Sequence, residues 1–297
     1  MAETLNTLID RPSVSFEISF VQGADGTVLN EQETDKLHYI IEKALWKLHE
    51  LGVKTHGSDT CQFISRRSTT SGETGIARRL GDTIVIVTSA EHISSEKMHA
   101  CTNEYKISLV FPKTAVDALR SPVPERSDAV IVMADETMKN AFEMIFGTVL
   151  HELCHAFGAF HAASGLMSGL IDLFPDKETI SFDDFHLSDV LDDQSESLVV
   201  ESLQNKMMSL PFYKISLNNR YLVIKSDATI KWMIFLKETS YTKQYYFCNT
   251  KEFKCFVPEQ KDWDALYLMF EGGLTMFFRE EDVNDEEPKY FIIKQLC

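Results

Sequence analysis

The sequence of 297 residues lacks any stretch able to cross a bilayer, because apolar runs such as Ala129–Ala134 fall far short of the roughly 20 residues a helical span needs. It also lacks a basic excess. Forty-five acids against 29 bases leave a net charge of −16, so a phosphate backbone would be repelled. Nucleic acid and membrane are therefore not expected as partners. Met1–Pro12 has neither a basic leader nor an apolar stretch of secretory length, and no Asn-x-Ser/Thr acceptor occurs. The expected compartment is the cytoplasm. Cysteine is scarce: Cys61, Cys101, Cys154, Cys248, Cys255 and Cys297 form no CxxC pair and are expected as reduced thiols, Cys248 and Cys255 included, although these two flank a hairpin. No internal repeat or low-complexity tract is visible.

What is present describes a folded chain, 44% hydrophobic and 25% charged, long enough for one large domain or two modest ones. Val14, Phe16, Ile18 and Phe20 alternate with polar residues, the period of a half-buried strand. Leu37, Ile40, Ile41, Ala44, Leu45, Leu48 and Leu51 follow at helical spacing, with Thr34 as expected N-cap and Gly52 as stop. Further strands are expected at Thr83–Thr88, Tyr105–Phe111 and Ala129–Ala134. Phe142, Ile145, Phe146, Val149, Leu150 and Leu153 give a wide apolar face to a central helix over Met138–Phe157. An acid-rich stretch leads to a helix expected at Leu187–Leu210, closed by Pro211. Beyond it, short strands with turn signals predict an all-β, sandwich-like unit of roughly eight strands. The expected organisation is an α/β (α+β) domain over 1–210 and a β-rich accessory domain over 211–297.

The chemistry concentrates in His151-Glu152-Leu153-Cys154-His155-Ala156-Phe157-Gly158-Ala159-Phe160-His161. His151 and His155 lie one helical turn apart on one face, close enough for both imidazoles to reach one Zn²⁺. Gly158 can take the left-handed conformation that ends the helix and brings His161 back as a third ligand. Three neutral imidazoles leave one open position, where water would have its pKa lowered towards ~7. Glu152 is placed to take that proton. Random placement of 9 His, 13 Gly and 45 acids in this length predicts such a pattern below ~10⁻⁴ times per chain.

Residues 151–161 resemble the zinc signature of the metzincin metallopeptidases, and Ser164-Gly165-Leu166-Met167-Ser168 resembles their Met-turn. The resemblance implies a twisted mixed sheet over a zinc-bearing helix, with Met167 supporting the metal from below. The spacing from His161 to Met167 is short, which is more similar to a fungal-type family of zinc metallopeptidases, some carrying a lectin-like β-domain, than to astacin-like or adamalysin-like enzymes. The tyrosine that follows the Met-turn in some metzincins is here Gly169.

The expectation is therefore a zinc endopeptidase acting on polypeptides, with His151, His155 and His161 as ligands, Glu152 as general base, and Gly158 and Met167 as support. Two alternatives stay open: a catalytically silent, zinc-containing binding module, and a zinc hydrolase of small amides or esters. His38, His49, His56, His92, His99 and His186 are expected to be ordinary histidines, and Asp183, Asp184, Asp189, Asp192 and Asp193 a solvated face rather than a calcium loop. Trp232, Tyr245, Tyr246 and Trp263 are expected as core aromatics of the C-terminal unit, with a protein or carbohydrate ligand as the less favoured role.

Overall fold

The computed structural model describes residues 13–57, 62–67, 83–103, 106–119, 130–133, 135–168, 173–174, 179–204, 213–218, 221–237, 240–256, 263–270 and 275–279. The chain is α+β, with a mixed sheet and a separate antiparallel sheet. The mixed sheet runs in the order β2 (Gln62–Arg67), β1 (Ser13–Phe20), β3 (Thr83–Glu91), β5 (Lys106–Pro112), β4 (His99–Asn103). All neighbours are parallel except β4, which lies antiparallel to β5 at one edge. Phe16, Ile18, Ile84, Ile86, Ile107 and Leu109 alternate onto one face and are buried there with α1 (Glu31–His56) and α3 (Glu136–Ala156). α2 (Lys113–Ala118) follows β5, and β6 (Val130–Val132) pairs with β7 (Thr179–Ser181).

The apolar stripe of α1 falls where its periodicity placed it, but its ends do not. Asn30, not Thr34, is the N-cap, closing a capping box with Glu33, and the helix runs past Gly52 to a cap at Gly57. The apolar stripe marks only the buried middle of a helix, whereas Asn30 and Glu33 satisfy the end groups outside it. The helix expected at Leu187–Leu210 is shorter: Leu187–Asp189 is a single 3-10 turn, and α4 spans Asp193–Gln204. Asp192 sets that start by accepting from the backbone of Gln194 and Ser195, each at 3.1 Å. Pro211 lies outside the described residues.

The antiparallel sheet draws its strands from β8 (Tyr213–Asn218), β9 (Tyr221–Lys237), β10 (Ser240–Phe256), β11 (Ala265–Phe270) and β12 (Thr275–Arg279). It runs β10-β9-β11-β12, with β8 also beside β9. Among the described residues these strands make one sheet rather than the facing pair of a sandwich. The reason is length: β9 and β10 have 17 residues each and absorb segments that turn residues divide in the sequence. Both faces are apolar. Met233, Phe235, Leu266 and Leu268 point into one cluster with Trp263, while Ile234, Leu236, Tyr267 and Met269 point into another with Phe160 and Leu198 of α4. Trp263 packs on Phe235 at 5.2 Å between ring centroids and Trp232 lies against the Phe160 cluster, so both serve the core. The side chains of Tyr245 and Tyr246 lie outside the described residues.

The expectation that every cysteine is a reduced thiol does not hold. Cys101, on β4, is disulfide-bonded, while Cys154, Cys248 and Cys255 remain thiols. Sequence-local spacing does not reveal a bridge between segments that only the fold brings together. Among the described residues, no helix is long and apolar enough to cross a membrane.

Candidate metal centre

α3 begins where the Asp135 carboxylate accepts from the Met138 N–H at 2.8 Å, and its apolar stripe is buried from Met138 through Cys154. That burial fixes the rotation of the helix, so His151 and His155 emerge together on its other side. The helix closes at Phe157, whose N–H reaches back to Leu153 and Cys154, and Gly158 at φ +95° turns the chain away. Only glycine takes that conformation without strain. His161 then returns towards the helix: its ring centroid is 4.8 Å from that of His155 and 5.3 Å from that of His151. One ring nitrogen from each histidine lies within 4.8 Å of the others.

The donor set fits a zinc ion. His151 Nδ1 donates to the Leu166 carbonyl at 3.0 Å, and His155 Nδ1 to the Ala159 carbonyl at 2.8 Å. A carbonyl can only accept, so the proton of each ring is on Nδ1 and its Nε2 carries a lone pair. These two Nε2 atoms face each other at 2.9 Å. Two lone pairs at that distance repel unless a cation sits between them, and a tetrahedral zinc would space its nitrogens about 3.3 Å apart, a small adjustment. Burial lowers the pKa of His151, and burial with the neighbouring imidazoles lowers that of His161 and brings His155 down to about 3, which favours the neutral imidazoles that a metal would require.

Glu152 is on the same helix and only 5% exposed. Burial raises its carboxyl to about 7, against a smaller opposing effect from a hydrogen bond with Thr102. Thr102 was not legible as a site residue: it comes from β4, 50 positions earlier, and no motif marks it. Its hydroxyl lies 2.5 Å from Glu152 Oε2 and 3.1 Å from the Glu152 carbonyl oxygen. When Glu152 is ionised, the hydroxyl donates to the carboxylate. When Glu152 is protonated, the acid donates to Thr102, whose own proton turns to the carbonyl. Both protonation states are thus satisfied without moving a heavy atom.

Met167 is fully buried in a 3-10 turn, Leu166–Ser168, and its carbonyl accepts from the Ala162 N–H at 3.1 Å. The direct contact to a candidate ligand comes from its neighbour Leu166, through the carbonyl that orients His151. Gly165, at φ +72°, lets this turn approach Val190, whose carbonyl accepts from the Leu166 N–H at 2.6 Å. Gly169 lies outside the described residues.

A cavity of about 560 Å³ opens beside the cluster, with His151, Glu152 and His161 among its walls. It continues along α3 past Gly147 and Met144 to Glu143, bordered by Met98 and Ala100 next to and on edge strand β4. Glu143 is held by Lys139 at 3.2 Å and by the Phe174 N–H at 2.9 Å, so the acid at this end is already engaged. Searched against family profiles, curated proteins and solved structures, the chain matches none.

Proposed function

We propose that the chain is a zinc-dependent endopeptidase. The observation that carries this reading is the convergence of three imidazoles and one buried carboxyl at the mouth of a groove bordered by a sheet edge. The metzincin resemblance of residues 151–168 agrees with it. His151, His155 and His161 would hold Zn²⁺, which when bound lowers the pKa of water at its open position and polarises a carbonyl. The residues do the rest. Glu152 accepts the proton of the attacking water and, from the same position, delivers it to the leaving amine. Thr102 keeps the carboxyl in one orientation through both steps. The outer edge of β4 is unpaired among the described residues, which suits an extended peptide laid alongside as an added strand. The apolar walls of the cavity then receive one of its side chains.

The test pairs zinc analysis of the purified chain with cleavage of an unbiased peptide library, with and without chelator. One zinc per chain, chelator-sensitive cleavage, and loss of cleavage but not of zinc in Glu152→Ala are the expected results. Zinc without turnover would replace the proposal with a binding module. Turnover confined to small amides or esters would replace it with a small-molecule hydrolase, and absence of zinc would remove the ligand assignment.

A further inference from the structure

We propose that the C-terminal antiparallel sheet is part of the metal centre: Tyr267 and Met269 of β11 hold the 158–160 turn that aims His155 and presents His161. This rests on the three-histidine reading above. The Tyr267 hydroxyl donates to the Gly158 carbonyl at 3.2 Å. Its ring meets that of Phe160 edge-on, 4.0 Å between centroids and 89° between planes. Both side chains are buried, at 2% and 1% exposure. A Cβ on residue 158 would stand 2.7 Å from Met269 Cε and 3.2 Å from the Tyr267 hydroxyl, so the glycine admits the sheet as well as the turn.

Between these two anchors lies Ala159. Its carbonyl is the acceptor for His155 Nδ1, and its N–H donates to the Cys154 carbonyl at 3.0 Å. A displacement of this peptide rotates the His155 ring about its hydrogen bond and shifts the backbone of His161, the next residue after Phe160. His161 has an exposed side chain, so its placement depends on that backbone. The anchoring face is broad: Ile234, Leu236 and Ala265 of the sheet bury Phe160 together with Leu198 of α4. Tyr267 and Met269 are thus positioning residues, acting on the ligands through a turn they do not share a strand or helix with.

The experiment measures zinc affinity of the full chain by competition with a chromophoric chelator, together with the visible spectrum of the Co²⁺-substituted protein and melting with and without zinc. Tyr267→Phe removes only the hydroxyl, and Met269→Ala opens the packing. Lys254→Ala, at an exposed position of the same sheet, is the control. Tyr267→Phe and Met269→Ala should bind zinc roughly tenfold more weakly, with an altered Co²⁺ spectrum and a smaller zinc-induced rise in melting temperature. Lys254→Ala should match the parent. A substitution that merely loosened the sheet would lower metal-free melting and leave affinity and spectrum alone. Zinc affinity within about twofold of the parent in both variants, with an unchanged spectrum, would overturn the proposal while leaving the metal centre standing. A parent that binds no zinc would remove both.

Discussion

Replacing Glu152 by glutamine should stabilise the metal-free protein at pH 8 and leave it nearly unchanged at pH 4.5. Glu152 is 5% exposed, and burial moves its carboxyl from 4.5 to about 7. The unfolded chain therefore releases this proton above pH 4.5, while the folded chain keeps it until about 7. Across that window the native state binds more protons than the unfolded state, so its stability falls as pH rises. At about 1.4 kcal/mol per pH unit, the loss amounts to on the order of 3 kcal/mol by pH 8. Glutamine has no proton to lose and still accepts from Thr102, so the variant escapes this loss. His155, held down at about 3, contributes an opposite slope as pH falls from 6.5, but does so in both proteins and cancels in their difference. Urea unfolding of chelator-treated parent and variant at pH 4.5, 6 and 8 gives the gap directly. A gap that stays constant with pH, or opens towards acid, would refute the account of Glu152 as a carboxyl buried against its charge.

Other consequences are accessible to simpler assays. Thr102→Val should lower kcat roughly tenfold or more at unchanged KM and zinc content, because the carboxylate loses a hydrogen bond from a neutral hydroxyl, and Thr102→Ser should restore most of it. Gly147→Val should retain zinc yet reject substrates with long apolar side chains at the cavity, since even a Cβ there would lie 3.2 Å from Leu173 Cδ1; equal cleavage of long and short side chains would refute the assigned pocket. Alkylation of the denatured, unreduced chain should label four of the six cysteines and, after reduction, all six; mass spectrometry decides.

Much of the site is local in sequence and was therefore legible. His151, Glu152, His155, Gly158 and His161 lie within eleven residues, and helical geometry with one left-handed turn is enough to bring them together. The strongly periodic elements, β1 and α3, could be read for the same reason. Edge strands could not: β2, Gln62–Arg67, and β4, His99–Asn103, are too polar and short to stand out, and among the described residues each has a strand on one side only. Thr102 was missed with its strand. Tyr267 looked like any aromatic in a β-rich segment, and its contacts with Gly158 and Phe160 arise from the packing of β11 on the turn after α3. Cys101 carries no local pattern, since a bridge is a property of tertiary proximity.

The contact between Tyr267 and Gly158 joins positions 109 residues apart. In a chain made from its N-terminus, the turn before His161 leaves the ribosome well before the strand that fastens it. At synthesis rates of about 5–20 residues per second, that interval is on the order of 5–20 s. During it the histidines are present without the wall that holds them in register. Under the proposed arrangement, full zinc affinity arrives only with β11, so hydrolysis by a nascent chain is weakened while it is being made. The order of synthesis would then delay full activity until the C-terminal sheet has formed.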